Sequence, residues 1–94
     1  MELKFEWDED KNQLNIEKHK LSFESAPQLF LKPIPIIVDD RIDYKEKRYI
    51  GFGELGGRLM VVVFTLRKNN IVRLISFRKA NNREQKEYSK NKLG

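Results

Sequence analysis

The sequence predicts an α+β fold in which two N-terminal helices and a C-terminal helix pack around an antiparallel sheet. Helix signals gather before residue 33 and after residue 80, while the stretch between runs in strand-length pieces that alternate or are wholly apolar. Those pieces are joined by short turns containing Gly56-Gly57 and Asn69-Asn70, which suit antiparallel neighbours. A chain of 94 residues has the length of one domain, so residues 1–94 are read as a single unit.

Lys4-Phe5-Glu6-Trp7 reads as a short strand. Asp8 is a good N-cap, and Glu9 and Asp10 suit the positive end of a helix dipole, so a helix over 8–20 follows. Its apolar content is thin, mainly Leu14 and Ile16. Lys11, Asn15 and Lys18 form one polar stripe, by default a solvated one, and Asn12, Asn15 and His19 form a neighbouring one. Ser22 caps a second helix whose core stripe is Phe23, Ala26, Pro27 and Phe30, with a local distortion at Pro27. Lys32-Pro33-Ile34-Pro35 ends it.

Strands are then expected at 36–39, 47–53, 58–67 and 71–78. The second has Arg48, Ile50 and Phe52 on one face and Tyr49 and Gly51 on the other. The third is apolar on both faces over 59–64 and so should be central. In the fourth, strict alternation puts Arg73 and Arg78 on opposite faces unless a bulge intervenes. Asn81-Asn82-Arg83-Glu84 resembles a capping box, opening a last helix that is polar almost all round apart from Tyr88.

Charge is unevenly distributed. Residues 1–47 carry eight basic and eleven acidic side chains, and residues 48–94 carry eleven and three, for a net charge of +5 overall. A basic strand-rich half suits a polyanion or an acidic partner. The absence of Cys excludes a thiol nucleophile, a disulfide scaffold and a thiolate metal site, and fits a reducing cytoplasm. With one His and no cluster of metal-ligating side chains, no metal or cofactor is expected. The longest apolar run, 59–66, is far too short to span a bilayer, so no membrane role is expected.

What remains for chemistry is arginine. Arg48, Arg67, Arg73 and Arg78 lie within or at the ends of strands, and guanidinium groups on a rigid sheet grip phosphate oxygens in pairs. They also suit the negative phosphorane formed when an RNA 2′-hydroxyl attacks its own phosphate. Basic residues on strand edges equally serve to discourage aggregation. Tyr49 and Tyr88 are of a type that stacks on bases, with packing the plainer role for Tyr49.

Taken along the chain, one pattern stands out. It comprises Phe5-Glu6-Trp7-Asp8, Lys11-Asn12, Asn15, Lys18-His19, and Ser22-Phe23-Glu24 with Ala26. It resumes at Glu46, Arg48 and Gly51, at Phe64-Thr65-Leu66-Arg67, and from Arg73 to Arg78, and ends at Ala80, Arg83-Glu84 and Tyr88. This pattern resembles the BrnT family of type II toxin–antitoxin toxins, small proteins similar in fold to RelE-type ribonucleases. The chain departs from the family at Lys32, where an acid usually precedes Pro33, at Phe77, where a small residue is common, and at Pro27.

The resemblance implies a RelE-like, metal-independent endoribonuclease that inhibits translation in a bacterial cytoplasm. It further implies neutralisation by a BrnA-type ribbon-helix-helix antitoxin, with operator DNA contacted only through that partner. Carried over by position, Arg67 and Arg78 would bind phosphate and stabilise the transition state, with Arg48 and Arg73 as supporting charges. Glu46 would be a general base or would orient an arginine, and His19 would be the leaving-group acid. Lys11, Lys18 and Tyr88 would add RNA contacts. The competing reading is a basic module that binds RNA or a partner without cutting, including an inactive toxin that acts only in operon autoregulation.

Overall fold

The computed structural model describes residues 2–41 and 45–93, the last three as backbone only. The elements are β1 (Lys4–Glu6), α1 (Glu9–His19), a 3₁₀ helix (Phe23–Leu31), β2 (Ile36–Asp39), β3 (Arg48–Leu55), β4 (Arg58–Arg67), β5 (Ile71–Lys79) and α2 (Asn82–Leu93). The strands form one sheet in the order β1-β5-β4-β3-β2. No helix among the described residues is long and apolar enough to cross a membrane.

The α+β class holds, but the sheet is mixed rather than antiparallel. β1 pairs with β5 in parallel, Phe5 opposite Val72, while the other three pairings are antiparallel. Two helices separate β1 from β2, so the two cannot form a hairpin. β1 instead takes the opposite edge of the sheet, beside the last strand.

Both hairpin turns follow their residue types. Gly56 and Gly57 have φ of 60° and 77° and join Leu55 to Arg58, the left-handed pair that a two-residue hairpin loop needs. Asn69 and Asn70 take φ of 64° and 62° in the next turn, a conformation that Asn tolerates better than most side chains.

The second helix is 3₁₀ rather than α. Its buried residues, Phe23, Ala26 and Leu29, recur every third position, which is the period of a 3₁₀ helix. Ser22 caps it by accepting from Glu24 N. The helix lies close against β3 because that strand turns two glycines toward it. A Cβ on Gly51 would come within 3.0 Å of Ile34 Cδ1, and one on Gly53 within 3.1 Å of Leu29 Cδ2.

α1 departs further from expectation. Asp8 caps it as foreseen, accepting from Asp10 N and Lys11 N. Leu14, however, is 63% exposed, while Asn12 and Asn15 are buried. The inward face is polar because its amides serve backbone groups. Asn12 Oδ1 accepts from Phe23 N at 2.8 Å, which fixes the start of the 3₁₀ helix. Asn15 Nδ2 donates to Phe77 O at 2.8 Å, and its Oδ1 accepts from Phe77 N at 3.1 Å. β1 covers β5 only at 71–73, so this side-chain amide satisfies part of the edge that β1 leaves bare.

The main core lies between the sheet and these two helices, around Phe23, Leu29, Met60, Val62, Phe64, Val72, Leu74 and Phe77. The opposite face carries a smaller cluster of Leu59, Val61 and Ala80, against which Ile50, Phe52 and Tyr88 pack. Tyr88 thereby seats α2 on that face.

Candidate functional site

A β-bulge decides which arginines share a face. Val63 pairs with Ser76, but the next residue, Phe64, pairs with Leu74, so Ile75 is an extra residue in β5. Phe77 and Leu74 therefore both face the main core, while Arg73, Ser76 and Arg78 all face the other side. Arg48, Ile50 and Phe52 join them from β3, and Val61, Val63 and Thr65 from β4. The opposite facing expected of Arg73 and Arg78 does not occur.

On this face a cavity of about 330 Å³ is lined by Asp39, Arg41, Arg48, Val63, Ser76, Arg78 and Glu84, among others. Two of its cations, Arg41 and Arg78, are held in place by carboxylates. Arg41 binds Asp39 through Nε at 2.7 Å and Nη2 at 2.9 Å, and Asp39 is buried. Asp39 is also the cross-strand neighbour of Arg48. Arg78 donates to both oxygens of Glu84 at 2.8 Å.

Glu84 has two tasks. It closes the capping box at the start of α2, with Asn81 N donating to Glu84 Oε1 at 2.9 Å and Glu84 N to Asn81 Oδ1 at 2.8 Å. The same carboxylate orients Arg78. The bond to Arg78 is the main reason that Glu84 stays below the usual carboxylate range, and it pushes the guanidinium of Arg78 upward.

His19 stands at the end of α1, one turn beyond Asn15. The Asn15 amide is bonded to the backbone of Phe77, so the histidine is carried toward the next residue, Arg78. Its pKa is lowered by burial first, then by the charges of Lys18 and Arg78. These influences favour the neutral imidazole, the form able to accept a proton.

The remaining candidates are spread more widely. Arg73 is bound to Glu6 at 2.7 Å, on the same face, across the parallel pair. Arg67 is paired with Glu46 at 3.3 Å. It lies six residues along β4 from Val61, the partner of Arg78, a backbone separation of roughly 20 Å, and each of the two arginines is paired with a different carboxylate. Lys11 and Lys18 are exposed on α1. Tyr88 is half-buried in the packing of α2. Among the described residues, no three His, Asp or Glu side chains are placed to hold a metal ion.

Sequence reasoning missed Arg41, Asp39, the second task of Glu84 and the clamp made by Asn15. The last had a signal, since amides at i and i+3 on a helix with almost no apolar stripe must face something polar.

No curated protein matches the chain. Residues 7–84 match a family described as "Ribonuclease toxin, BrnT, of type II toxin-antitoxin system". Among solved structures, the chain is similar to the 1.1 Å crystal structure of the ribonuclease toxin BrnT from Brucella abortus. The two are 30% identical, the match covers 86% of this chain and all of that one, and the TM-score is 0.68. The matched span runs from Trp7 through β5 to Glu84 and so contains the arginine-lined face. The chain belongs to the BrnT family of ribonuclease toxins of type II toxin–antitoxin systems.

Proposed function

We propose that the chain cuts RNA on the bulged face of its sheet, as a metal-independent endoribonuclease with a single RelE-like domain. The observation that carries this is the bulge at Ile75, which gathers Arg73 and Arg78 on the face of Arg48. Arg48 and Arg78 take the scissile phosphate and stabilise the charge that builds on it, with Arg41 and Arg73 beside them. A phosphate entering the site takes over the guanidinium of Arg78 from Glu84. His19, kept neutral, accepts the proton of the 2′-hydroxyl rather than supplying one to the leaving group. As the O2′–P bond forms and the P–O5′ bond breaks, the departing 5′-oxygen is protonated by solvent, leaving a 2′,3′-cyclic phosphate and a 5′-hydroxyl.

Arg67, steadied by Glu46, and Lys11 and Lys18 contact the RNA on either side of the cut. Tyr88 contributes by seating α2. In the cell this activity stops translation in the cytoplasm and is held in check by a BrnA-type ribbon-helix-helix antitoxin, through which alone the toxin meets operator DNA.

The test is naked RNA incubated in EDTA with the wild type and with a folded Arg48→Ala/Arg78→Ala variant. The wild type is expected to cleave and the variant to be slower by about 10²–10³-fold. Equal cleavage by the two would remove this face as the active site. A second reading, binding without cutting, has one observation on its side, the full engagement of Arg78 by Glu84. It predicts salt-sensitive RNA binding and no cleavage by either protein.

A further inference from the structure

β2 is the outer strand of the sheet, and its outer edge is open among the described residues. Ile36, Ile37 and Val38 are 47%, 54% and 49% exposed, so three consecutive branched apolar side chains stand at a bare edge. Such edges are normally blunted by charge or proline within the strand; here Pro35 lies just before the strand, and its one charged residue, Asp39, is buried. Phe52 N donates to Pro35 O at 3.1 Å, one step before the Ile36–Gly51 pair. The alternation of an antiparallel pair then turns the N–H and C=O of Ile36 and Val38 outward, ready for another strand.

Beside this edge lies a groove of about 580 Å³ between β2 and α2, with Pro35, Ile37, Phe52 and Tyr88 as its apolar lining. The groove shares Ile37, Phe52 and Glu84 with the arginine-lined cavity, so the two form one trough. Arg41, Arg48, Arg78 and Arg83 stand along it among Asp39, Glu84 and Glu87, so cations outnumber carboxylates by one and the excess lies at the cavity, which holds three arginines and two carboxylates. An occupant that fits is extended, apolar at the groove and acidic at the cavity. A second copy fits less well, because each chain carries a net charge of +5.

We propose that the outer edge of β2 receives an extended acidic segment of the antitoxin as a sixth strand. One of its apolar side chains fills the groove beside α2, and its carboxylates reach the arginines. This inference rests on the toxin reading for the nature of the partner. Bound in this way, the segment covers the trough that RNA would use, so docking and neutralisation are one event.

The test uses the complex of the full chain with its cognate antitoxin. Hydrogen exchange at the Ile36 and Val38 amides is expected to slow in the complex relative to the free chain. An Ile36→Lys/Val38→Lys variant is expected to bind the antitoxin about tenfold or more weakly. Free, that variant should keep the wild-type melting curve and RNA cleavage. Unchanged exchange at both amides, or equal affinity of the two chains, overturns the proposal. So does a free chain that sediments as a dimer split by the variant, which would assign the edge to a second copy. Cleavage without any antitoxin complex overturns the docking alone. Protection of β2 in the complex with no cleavage by the free chain overturns the ribonuclease reading and leaves the docking standing.

Discussion

On one face of the sheet, Phe23, Val62 and Phe77 are fully buried, and the polar groups that reach it, Asn12 and Asn15, are bonded to backbone. On the other, Arg48, Arg73 and Arg78 lie part-exposed, with Arg73 paired to Glu6 and Arg78 to Glu84. The first face excludes water, so its side chains contribute through packing and a change there costs stability. The second keeps water and holds its charges in partly screened pairs, which contribute little to folding. Substitutions of those charges can therefore alter ligand binding while leaving the fold intact. A small chain can place its function on a surface whose variation the core tolerates.

The largest effect that sharpens this contrast is Phe23→Ala. It should cost about 3–5 kcal/mol by urea unfolding, since it empties the centre of the packed face. The fraction that remains folded should cleave RNA at the wild-type rate, and a matching loss of specific activity would mean that the two faces are not independent.

A smaller effect should cross from one face to the other. Asn15→Ala leaves the N–H and C=O of Phe77 without their side-chain partner, and should cost about 2 kcal/mol in the same measurement. It should also release His19 from its place near Arg78. The imidazole pKa would then rise toward its ordinary value, and the acid side of the pH–rate profile would move to higher pH. An unmoved profile would mean that the Asn15 clamp does not set the environment of His19.

The smallest effect concerns α2. Glu84 has a depressed pKa in the folded chain. Its bond to Arg78 therefore adds stability above the unfolded carboxylate pKa and loses it as pH falls through the lower, folded value. Tyr88 ring signals should report loosening of α2 on acidification, by about 1 kcal/mol or less. Glu84→Gln should remove that pH dependence. Loosening that persists in the variant would point to another carboxylate.

Much of the fold was legible because its signals are local. Asp8, Ser22 and the Asn81/Glu84 box act within three residues of themselves, and Gly56-Gly57 fixes its own turn. The alternation of Arg48, Ile50 and Phe52 likewise stands as read. The parallel seat of β1 was hidden because it depends on which edge the finished sheet leaves free. The inward turn of Asn12 and Asn15 was hidden because their partners, Phe23 N and the backbone of Phe77, lie 11 and 62 residues away. At the site, the arginines were visible as a composition, but their grouping was not. One extra residue, Ile75, reverses the facing of everything before it in β5, and no residue type in that stretch announces it.

The Asn15 amide has a consequence for how the molecule can associate. With β1 laid over 71–73 and Asn15 bonded to Phe77, the edge on the β5 side is the three-residue β1, while the longer β2 edge is open among the described residues. As a unit of polymerisation the chain is lopsided, with one longer coupling end and one shorter one. Edge pairing should favour the β2 end, and β5 itself would become a template only if β1 and α1 were stripped from it.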